Sequence, residues 1–431
     1  MRLIIKNVTV VNSDGALIQD VFVEDGKITG AFDSADREID GTGKFLLPGA
    51  IDAHVHFREP GASHKETWET GSAAAAMGGV TTVLDMPNNN PAIISVKTLN
   101  EKRALIEGRS FVNYGFHFGA AGTGNLEEIR AAKNIPGVKI YMGSSTGDLL
   151  VDQPSQWEKV FEVCREKNIP VIVHAENEHR IQERAKAMAG ETAMITHAKI
   201  RDCECAKIAA HEAIALHEQV GNKLHIAHMS TAAELALVEA SDSSNLTCEV
   251  APHHLYFTMN DMKDANLKMN PPLREEADLI KLWEGVHSGT VNCIATDHAP
   301  HTKEEKSKGL ASPSGVPGVE FMLPLMLNES SQNSLELTEV ARLTSAEPAR
   351  IFSLQGKGTI KEGMDADLVL VDMELEKTIT EAMVQSKCGW TPYLGYKLKG
   401  WPVMTIVNGQ ITMESGKVSS TAFGKEVIIN P

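Results

Sequence analysis

Two histidines separated by a single residue stand at the end of the first long apolar stretch of the chain, in the segment Asp52-Ala-His-Val-His56. If that stretch is a strand, its period of two residues points His54 and His56 to the same side. Two converging imidazoles favour a metal site, whereas a lone buried histidine is more often a packed core residue. Imidazole and carboxylate groups suit zinc and related divalent ions.

Further metal-binding side chains end three later apolar stretches, namely His174, His228 and Asp297. In a barrel of parallel strands, functional groups collect at the carboxyl ends of the strands. We therefore expect these three side chains to share one site with His54 and His56.

A lysine, Lys139, lies inside the apolar stretch Gly137–Met142. Lysine in a buried parallel strand is costly unless it is paired or modified. A core ion pair is one explanation. The alternative is that nearby cations disfavour the ammonium, and that the neutral amine combines with carbon dioxide to form a carbamate able to bridge two metals.

The region that must position these groups has the rhythm of a parallel α/β protein. Between about Leu46 and Phe352, short β-branched runs alternate with helical stretches, which is typical of β/α units. Eight candidate strands across about 250 residues predict a TIM-like (β/α)8 barrel. They are Leu46–His56, Val80–Pro87, Val112–Ala120, Gly137–Met142, Pro170–Ala175, Leu224–Met229, Leu246–Ala251 and Val291–Thr296. A doubly wound open sheet is the alternative, but it calls for a glycine-rich phosphate loop after the first strand, and none is present there.

Both ends of the chain are rich in strand and turn patterns, including the strong hairpin turn Asn408-Gly409. Neither end is long enough to form a two-layer structure alone. We therefore predict a small β-sandwich domain built from residues 1–45 and 353–431, with the barrel of residues 46–352 inserted between its two parts.

The composition excludes several classes of protein. At 431 residues, 42% hydrophobic and 23% charged, the chain has an ordinary soluble composition. A formal charge of −16 argues against nucleic-acid binding, which needs clustered Lys and Arg. No apolar run reaches the roughly 18 residues of a membrane span, and the six scattered cysteines show no disulfide pattern. We expect a cytoplasmic protein.

A series of motifs along nearly the whole chain resembles the dihydroorotases, a group of cyclic amidases in the amidohydrolase superfamily. The motifs occur in order as His54-Val-His-Phe-Arg-Glu-Pro-Gly61, His64-Lys-Glu-Thr67, Asp85-Met-Pro-Asn-Asn-Asn-Pro91, Val173-His-Ala-Glu-Asn177, His225-Ile-Ala-His-Met-Ser230, Asn270-Pro-Pro-Leu-Arg274, Ala295-Thr-Asp-His-Ala-Pro-His301 and Gly315-Val-Pro-Gly-Val-Glu320. The set is far more specific than the first pair of histidines alone.

That resemblance implies a centre of two zinc ions. The implied ligands offer imidazole, carboxylate or carbamate donors and are His54, His56, Lys139, His174, His228 and Asp297. The first two histidines and the aspartate would bind the more buried ion, the other two histidines the more exposed one, and carboxylated Lys139 would bridge them. Some dihydroorotases use an aspartate near the fourth strand instead; Asp148 lies nearby but does not match that pattern. Glu176 and Glu249 are candidates to hydrogen-bond the ligand imidazoles.

The implied reaction is the reversible cyclisation of N-carbamoyl-L-aspartate to L-dihydroorotate in pyrimidine biosynthesis. A hydroxide shared by the metals would attack the ring carbonyl, and Asp297 would shuttle its proton to the ring nitrogen. By the same resemblance, Arg58, Asn88 and His301 would hold the substrate carboxylate, with Asn270 nearby. The resemblance also implies a homodimer that acts on a small molecule.

Two other functions remain open. Another cyclic amidase, such as a hydantoinase, dihydropyrimidinase or allantoinase, would share the paired histidines but typically lacks Arg58. A catalytically silent relative that serves as an assembly partner would generally lose metal ligands, and all of them are present here. The loop of residues 303–319 either covers the substrate or is a solvated connection.

Overall fold

The computed structural model of the protein describes residues 1–144 and 149–431. Asp148, the alternative bridging residue, lies outside the described residues. The strands are β1 (Arg2–Asn12), β2 (Gly15–Glu24), β3 (Lys27–Thr29), β4 (Arg37–Asp40), β5 (Phe45–Pro48), β6 (Ala50–Val55), β7 (Val80–Asp85), β8 (Asn113–Phe116), β9 (Phe118–Gly119), β10 (Val138–Tyr141), β11 (Pro170–His174), β12 (Lys223–Ile226), β13 (Leu246–Val250), β14 (Cys293–Ile294), β15 (Leu368–Thr378), β16 (Lys397–Val407), β17 (Gln410–Glu414) and β18 (Lys417–Val418).

The helices are α1 (Trp68–Met77), α2 (Val96–Ile106), α3 (Leu126–Ala131), α4 (Pro154–Glu166), α5 (Glu178–Ala187), α6 (Ile195–Ile200), α7 (Cys203–Val220), α8 (Ala232–Glu239), α9 (Pro252–Tyr256), α10 (Glu276–Ser288), α11 (Lys303–Lys306), α12 (Met322–Ser331), α13 (Leu337–Ala341) and α14 (Glu347–Ile351). A π-helical turn, Arg342–Ala346, joins the last two. Within the described residues, no helix combines the length and the apolar character that crossing a bilayer requires.

The predicted barrel is confirmed. Strands β6, β7 and β8 pair in parallel, and β9 to β14 continue in parallel in chain order. Strands β8 and β9 are two parts of the third barrel strand, separated by His117. A parallel bridge between Val55 and His298 joins the first strand to the segment after the eighth, so the barrel closes.

Burial explains why these segments form strands of a barrel. All six residues of β7 and all five of β11 are buried, as expected for parallel strands covered on both faces. The outer helices start at side chains that accept a backbone hydrogen bond, as Thr67, Ser95 and Thr231 do at the N-caps of α1, α2 and α8. The carboxyl ends of the strands therefore face one common mouth.

The two ends of the chain build a second, largely antiparallel sheet. Its strand order is β18-β17-β16-β15-β5-β1-β2-β3, with β4 paired to β1. The Ile28 amide donates to the carbonyl of Met364 at 2.9 Å, so the sheet curls round a core that includes Leu3, Val23 and Leu368. The exact domain limits at residues 45 and 353 stay a prediction.

The first predicted strand, Leu46–His56, is in fact two. Its beginning is β5, which pairs with β1 and β15 of the terminal sheet, and its end is β6 of the barrel. Gly49 lies between them, and a Cβ atom there would come within 2.1 Å of Thr81 Oγ1. The chain thus passes from one sheet to the other at a point too crowded for a side chain.

Candidate active site

The first two histidines and Asp297 converge at the mouth of the barrel. His56 Nε2 lies 2.9 Å from Asp297 Oδ1, and His54 Nε2 lies 3.4 Å from the same oxygen. All three residues are less than 9% exposed. The period of two residues along β6 therefore places both imidazoles on the inner side, as predicted.

The Nδ1 atoms of His54 and His56, which point away from Asp297, each contact a side-chain oxygen. His54 Nδ1 lies 2.5 Å from Glu249 Oε1, and His56 Nδ1 lies 2.6 Å from Asn88 Oδ1. When each Nδ1–H donates to its oxygen, each Nε2 presents a lone pair toward Asp297. Three electron-rich atoms then face one another, an arrangement that a cation stabilises. The donor set fits a divalent metal.

A second pair of imidazoles lies beside the first. His174 Nδ1 and His228 Nε2 are 3.0 Å apart, and His174 Nε2 lies 2.9 Å from Glu176 Oε2. The rings of His54 and His228 have centroids 5.2 Å apart, so the two groups of histidines are neighbours. This second pair fits a second ion.

Lys139 lies on β10 among these groups and is fully buried. Its Nζ has no hydrogen-bond partner among the described residues. Burial lowers the pKa of Lys139 to about 8, although Glu249 and Asp297 act in the opposite direction. An unpaired, largely desolvated amine beside four imidazoles is the orphaned polar atom that a bridging carbamate would satisfy.

Burial also keeps the imidazoles neutral and leaves the carboxylate ionised. Burial lowers the pKa of His54, His174 and His228 below the usual value. Burial alone would raise the pKa of Asp297, but its contacts with His54 and His56 lower it below its usual range. Neutral imidazole and ionised carboxylate are the forms that bind a metal.

Two buried glutamates orient the histidines, as expected from the sequence. Glu249 contacts His54 through Oε1 and His225 through Oε2 at 3.1 Å. Glu176 is held by Arg201, whose Nη2 donates to Oε2 at 2.6 Å.

Burial raises the pKa of Cys293, which lies near His225 and Glu249, well above its usual value. That thiol stays protonated and is a poor metal ligand.

Three residues of the site have a backbone conformation that side chains rarely adopt. The φ angles of Arg58, His228 and Asp297 are 61°, 37° and 48°. Non-glycine residues with positive φ cluster at functional sites, because the surrounding structure must hold them there.

A small cavity of about 20 Å³ lies next to the histidines. Its lining comprises His56, Arg58, Asn88, Asn270, Asp297, Ala299, Ser314 and Gly315. Such a volume holds about one water molecule.

The predicted substrate-binding residues meet at this cavity or beside it. Arg58 is 7% exposed, and its Nε donates to the carbonyl of Pro300 at 3.1 Å. Its Nη2 lies 3.1 Å from His301 Nε2. Among the described residues, none accepts a hydrogen bond from Arg58 Nη1, so that group remains available for an anion.

Some contacts at the site were not predicted from the sequence. Lys65 Nζ lies 3.1 Å from His301 Nδ1, and the Ser314 hydroxyl donates to Asn270 Oδ1 at 3.1 Å. The signal for Lys65 was its place in the motif His64-Lys-Glu-Thr67. Asn88, predicted to hold the substrate, also orients His56.

Comparison with known proteins identifies relatives over nearly the full chain. The profile of the amidohydrolase family matches residues 45–412. A dihydroorotase from Methanosarcina mazei is 36% identical over 94% of this chain and 93% of its own length. One from Pyrococcus abyssi is 38% identical over 94% of each chain.

Solved structures that superpose on this chain include hydantoinases and dihydropyrimidinases. An L-hydantoinase from Arthrobacter aurescens superposes with a TM-score of 0.94 at 29% identity, covering 99% of each chain. A dihydropyrimidinase from Brevibacillus agri superposes with a TM-score of 0.92 at 26% identity, covering all of both chains.

Proposed function

This chain belongs to the amidohydrolase family, and from that premise we propose that it is a dihydroorotase, a metal-dependent cyclic amide hydrolase. It interconverts N-carbamoyl-L-aspartate and L-dihydroorotate, the ring-closing step of pyrimidine synthesis. The observation that carries the proposal is the buried guanidinium of Arg58 beside the convergent histidines and Asp297. A hydrolytic centre and a carboxylate-binding group then share one cavity.

We propose that two zinc ions occupy the mouth. The six residues that would hold them are His54, His56, Lys139, His174, His228 and Asp297, with Lys139 as a bridging carbamate. Bound zinc supplies a Lewis acid for the amide carbonyl and a water of lowered pKa. The support is the convergence of lone pairs on Asp297 and the unpaired Nζ of Lys139.

Asp297 is the proton-transfer residue in this proposal. Its carboxylate is ionised and lies at the cavity wall, with one oxygen within 3.4 Å of both His54 Nε2 and His56 Nε2. In ring opening it accepts the proton of the attacking water and passes it to the ring nitrogen. In ring closure it runs the same path backward, as microscopic reversibility requires.

The substrate carboxylate is held opposite the reacting amide. Arg58, Asn88 and His301 would bind it, with Asn270 at the adjacent wall. The guanidinium of Arg58 offers a planar pair of N–H donors that match a carboxylate. Its burial strengthens the attraction, since less water screens it.

Hydantoinase or dihydropyrimidinase activity is the second candidate, and the TM-score of 0.94 to an L-hydantoinase favours it. Fold similarity does not decide between substrates, because related barrels host many chemistries. The substrates of those enzymes lack the carboxylate that a buried arginine would bind. Arg58 and the sequence relatives together favour dihydroorotase.

A substrate panel with zinc-loaded protein tests the choice. We expect turnover of L-dihydroorotate and much slower turnover of hydantoin and dihydrouracil. In Arg58→Met we expect the KM for dihydroorotate to rise at least about tenfold. A change of that size corresponds to the loss of roughly one charge-assisted hydrogen bond. The matched control is Arg130→Met, which removes an exposed arginine. Turnover of hydantoins but not of dihydroorotate would overturn the proposal.

We further propose that the protein is a cytoplasmic homodimer with a barrel of residues 46–352 inserted in the terminal β-domain. A silent assembly role is disfavoured by the complete set of candidate ligands. Sedimentation should give twice the chain mass, and a monomer at micromolar concentration would contradict the dimer.

A further inference from the structure

The segment of residues 309–315, here called the mouth loop, forms one wall of the cavity. Its last two residues, Ser314 and Gly315, line the cavity directly. The Ser314 carbonyl accepts a hydrogen bond from His301 Nε2 at 3.0 Å, and its hydroxyl reaches Asn270. A Cβ atom on Gly315 would lie 2.5 Å from the carbonyl oxygen of Ala299. The loop therefore packs closely against the residues proposed to hold the substrate.

One buried lysine satisfies three backbone carbonyls around this loop. Lys306 Nζ donates to the carbonyls of Lys268, Pro313 and Gly315 at 3.1, 3.2 and 2.9 Å. An ammonium has three N–H donors, so all of them are used. The Ser312 hydroxyl adds a further bond between the loop and this residue by donating to the Lys306 carbonyl at 3.0 Å.

A second lysine holds the first half of the loop. Lys268 Nζ donates to the carbonyls of Leu310 and Ser312 at 2.6 and 2.7 Å. The Lys268 carbonyl in turn accepts from the Gly315 amide at 2.9 Å. Since Lys268 stands two residues before Asn270, these bonds connect the mouth loop to the segment that carries another lining residue of the cavity.

The burial of these two lysines is costly and calls for a reason. Lys306 is 3% exposed and Lys268 is 9% exposed. Within the described part of the chain, no carboxylate lies within ion-pair distance of either Nζ. Backbone carbonyls therefore supply the hydrogen bonds, and the Trp390 ring, whose centroid lies 5.8 Å from Lys306 Nζ, adds a cation–π contact. A solvated connection could take its shape from turn residues without burying a charge.

We propose that Lys268 and Lys306 are positioning residues for substrate binding, which clamp the mouth loop so that Ser314 and Gly315 keep the substrate wall in place. The clamp acts through the loop and touches no reacting atom. For the loop of residues 303–319, the proposal favours a role at the substrate over a solvated connection. The inference rests on the proposed function for the identity of the substrate.

The test compares zinc-loaded wild type with Lys268→Met and Lys306→Met. We expect the KM for dihydroorotate to rise about tenfold or more in each, as expected for lost hydrogen bonds to a charged group. We expect kcat to change less than about threefold, because the proton-transfer residue and metal ligands stay in place. Lys303→Met is the matched control: it removes a neighbouring lysine whose side chain is 58% exposed, and its KM should equal the wild-type value.

Hydrogen exchange of the peptide that spans the mouth loop gives a second reading that needs no substrate. We expect faster exchange there in both variants and unchanged exchange in Lys303→Met. If Lys306→Met does not fold, Lys306→Arg replaces it, since arginine keeps the charge and several donors. Its KM should exceed the wild-type value by less than about tenfold.

Wild-type KM together with wild-type exchange in both variants would overturn the clamp. So would a fall of kcat and zinc content at unchanged KM, which would indicate a merely structural role. If the wild type itself fails to turn over dihydroorotate, the proposed function fails, and the exchange measurement still decides whether the two lysines hold the loop.

Discussion

Lys139 is the residue whose position is hardest to explain without a modification. Its amine is buried in a parallel strand with no hydrogen-bond partner in the described structure. A carbamate would convert this unpaired donor into an anionic ligand between the two pairs of histidines. Burial raises the free energy of the charged lysine and so lowers its pKa. The neutral amine, which is the form that reacts with carbon dioxide, therefore forms more readily.

Lys139→Ala should therefore lose metal. We expect zinc content to fall from about two to below one per chain and kcat to fall at least about 100-fold. Elemental analysis and steady-state kinetics measure both. Lys133→Ala, at an exposed position six residues before Lys139, serves as control. A variant with two metals and full turnover would show that Lys139 is not the bridge.

Asp297→Asn tests proton transfer at the neighbouring position. The amide keeps the shape of the side chain but cannot accept a proton, so kcat should drop by about 10²–10⁴-fold. Reconstitution with zinc before assay and circular dichroism check loading and folding. Retention of more than a tenth of the wild-type kcat would assign the proton to another group.

Helix α2 and strand β7 meet through a buried ion pair that supports the site. Lys102 Nζ donates to Asp85 Oδ2 and, at 2.6 Å, to Asn89 Oδ1. Asp85 Oδ1 accepts from the Phe57 amide at 2.7 Å. Since Asn89 follows Asn88, this pair fixes both the turn after β7 and the turn after β6.

Lys102→Met should destabilise the protein by about 3–5 kcal/mol, because it leaves Asp85 charged and buried. Urea-induced unfolding measures the loss. Lys97→Met, on the same helix with a side chain that is 82% exposed, should change stability by less than about 0.5 kcal/mol. The double variant Asp85→Asn/Lys102→Met should recover part of the loss, and equal losses in the double and single variants would contradict this account.

The segment between β15 and β16 is fastened to the barrel by two buried glutamates. Glu66 Oε1 accepts from the Lys387 amide at 3.0 Å, and Glu320 Oε2 accepts from the Gln385 amide at 2.9 Å. Burial, with the Glu66 charge adding to it, raises the pKa of Glu320 from 4.5 to about 8. The folded state therefore prefers a neutral Glu320.

Stability should depend on pH through this group in a definite direction. The contribution of neutral Glu320 is fully present below pH 4.5 and is lost as pH rises to about 8. Glu320→Gln stays neutral, so its Tm relative to wild type should be higher at pH 8.5 than at pH 5 by about 2–4 °C. Glu336→Gln, at an exposed position, should show no such difference. An equal Tm offset at both values would refute the assignment.

The proposed metal centre draws on segments far apart in the whole molecule. Its ligands come from β6 and the residue just after it, from β10 and β11, and from the segments that follow β12 and β14. Bound ions would tie these strands of the barrel together. Ligands that bind only the folded state stabilise it by mass action.

Chelation should therefore lower Tm as well as abolish turnover. At a free zinc concentration 100 times the dissociation constant, binding adds about 2.7 kcal/mol. Differential scanning fluorimetry should show a lower Tm after chelation and recovery after zinc is restored. Lys139→Ala should respond much less. A wild-type Tm that is indifferent to zinc would argue against a centre that links the strands.

Local patterns in the sequence determined the parts of this protein that depend on neighbours along the chain. Alternation placed His54 and His56 on one side, and repeated β/α units predicted the closed barrel with its mouth at the strand ends. Tertiary structure alone decided the rest. Only the fold shows that β5 belongs to the terminal sheet and that the chain enters the barrel after Gly49. Only the fold shows that Asn88 orients His56, and that Lys268 and Lys306 donate to different carbonyls of the mouth loop. The reason is physical: periodicity and turn preference act over a few residues, whereas crowding at a glycine or the pairing of a buried charge depends on atoms that only folding brings together.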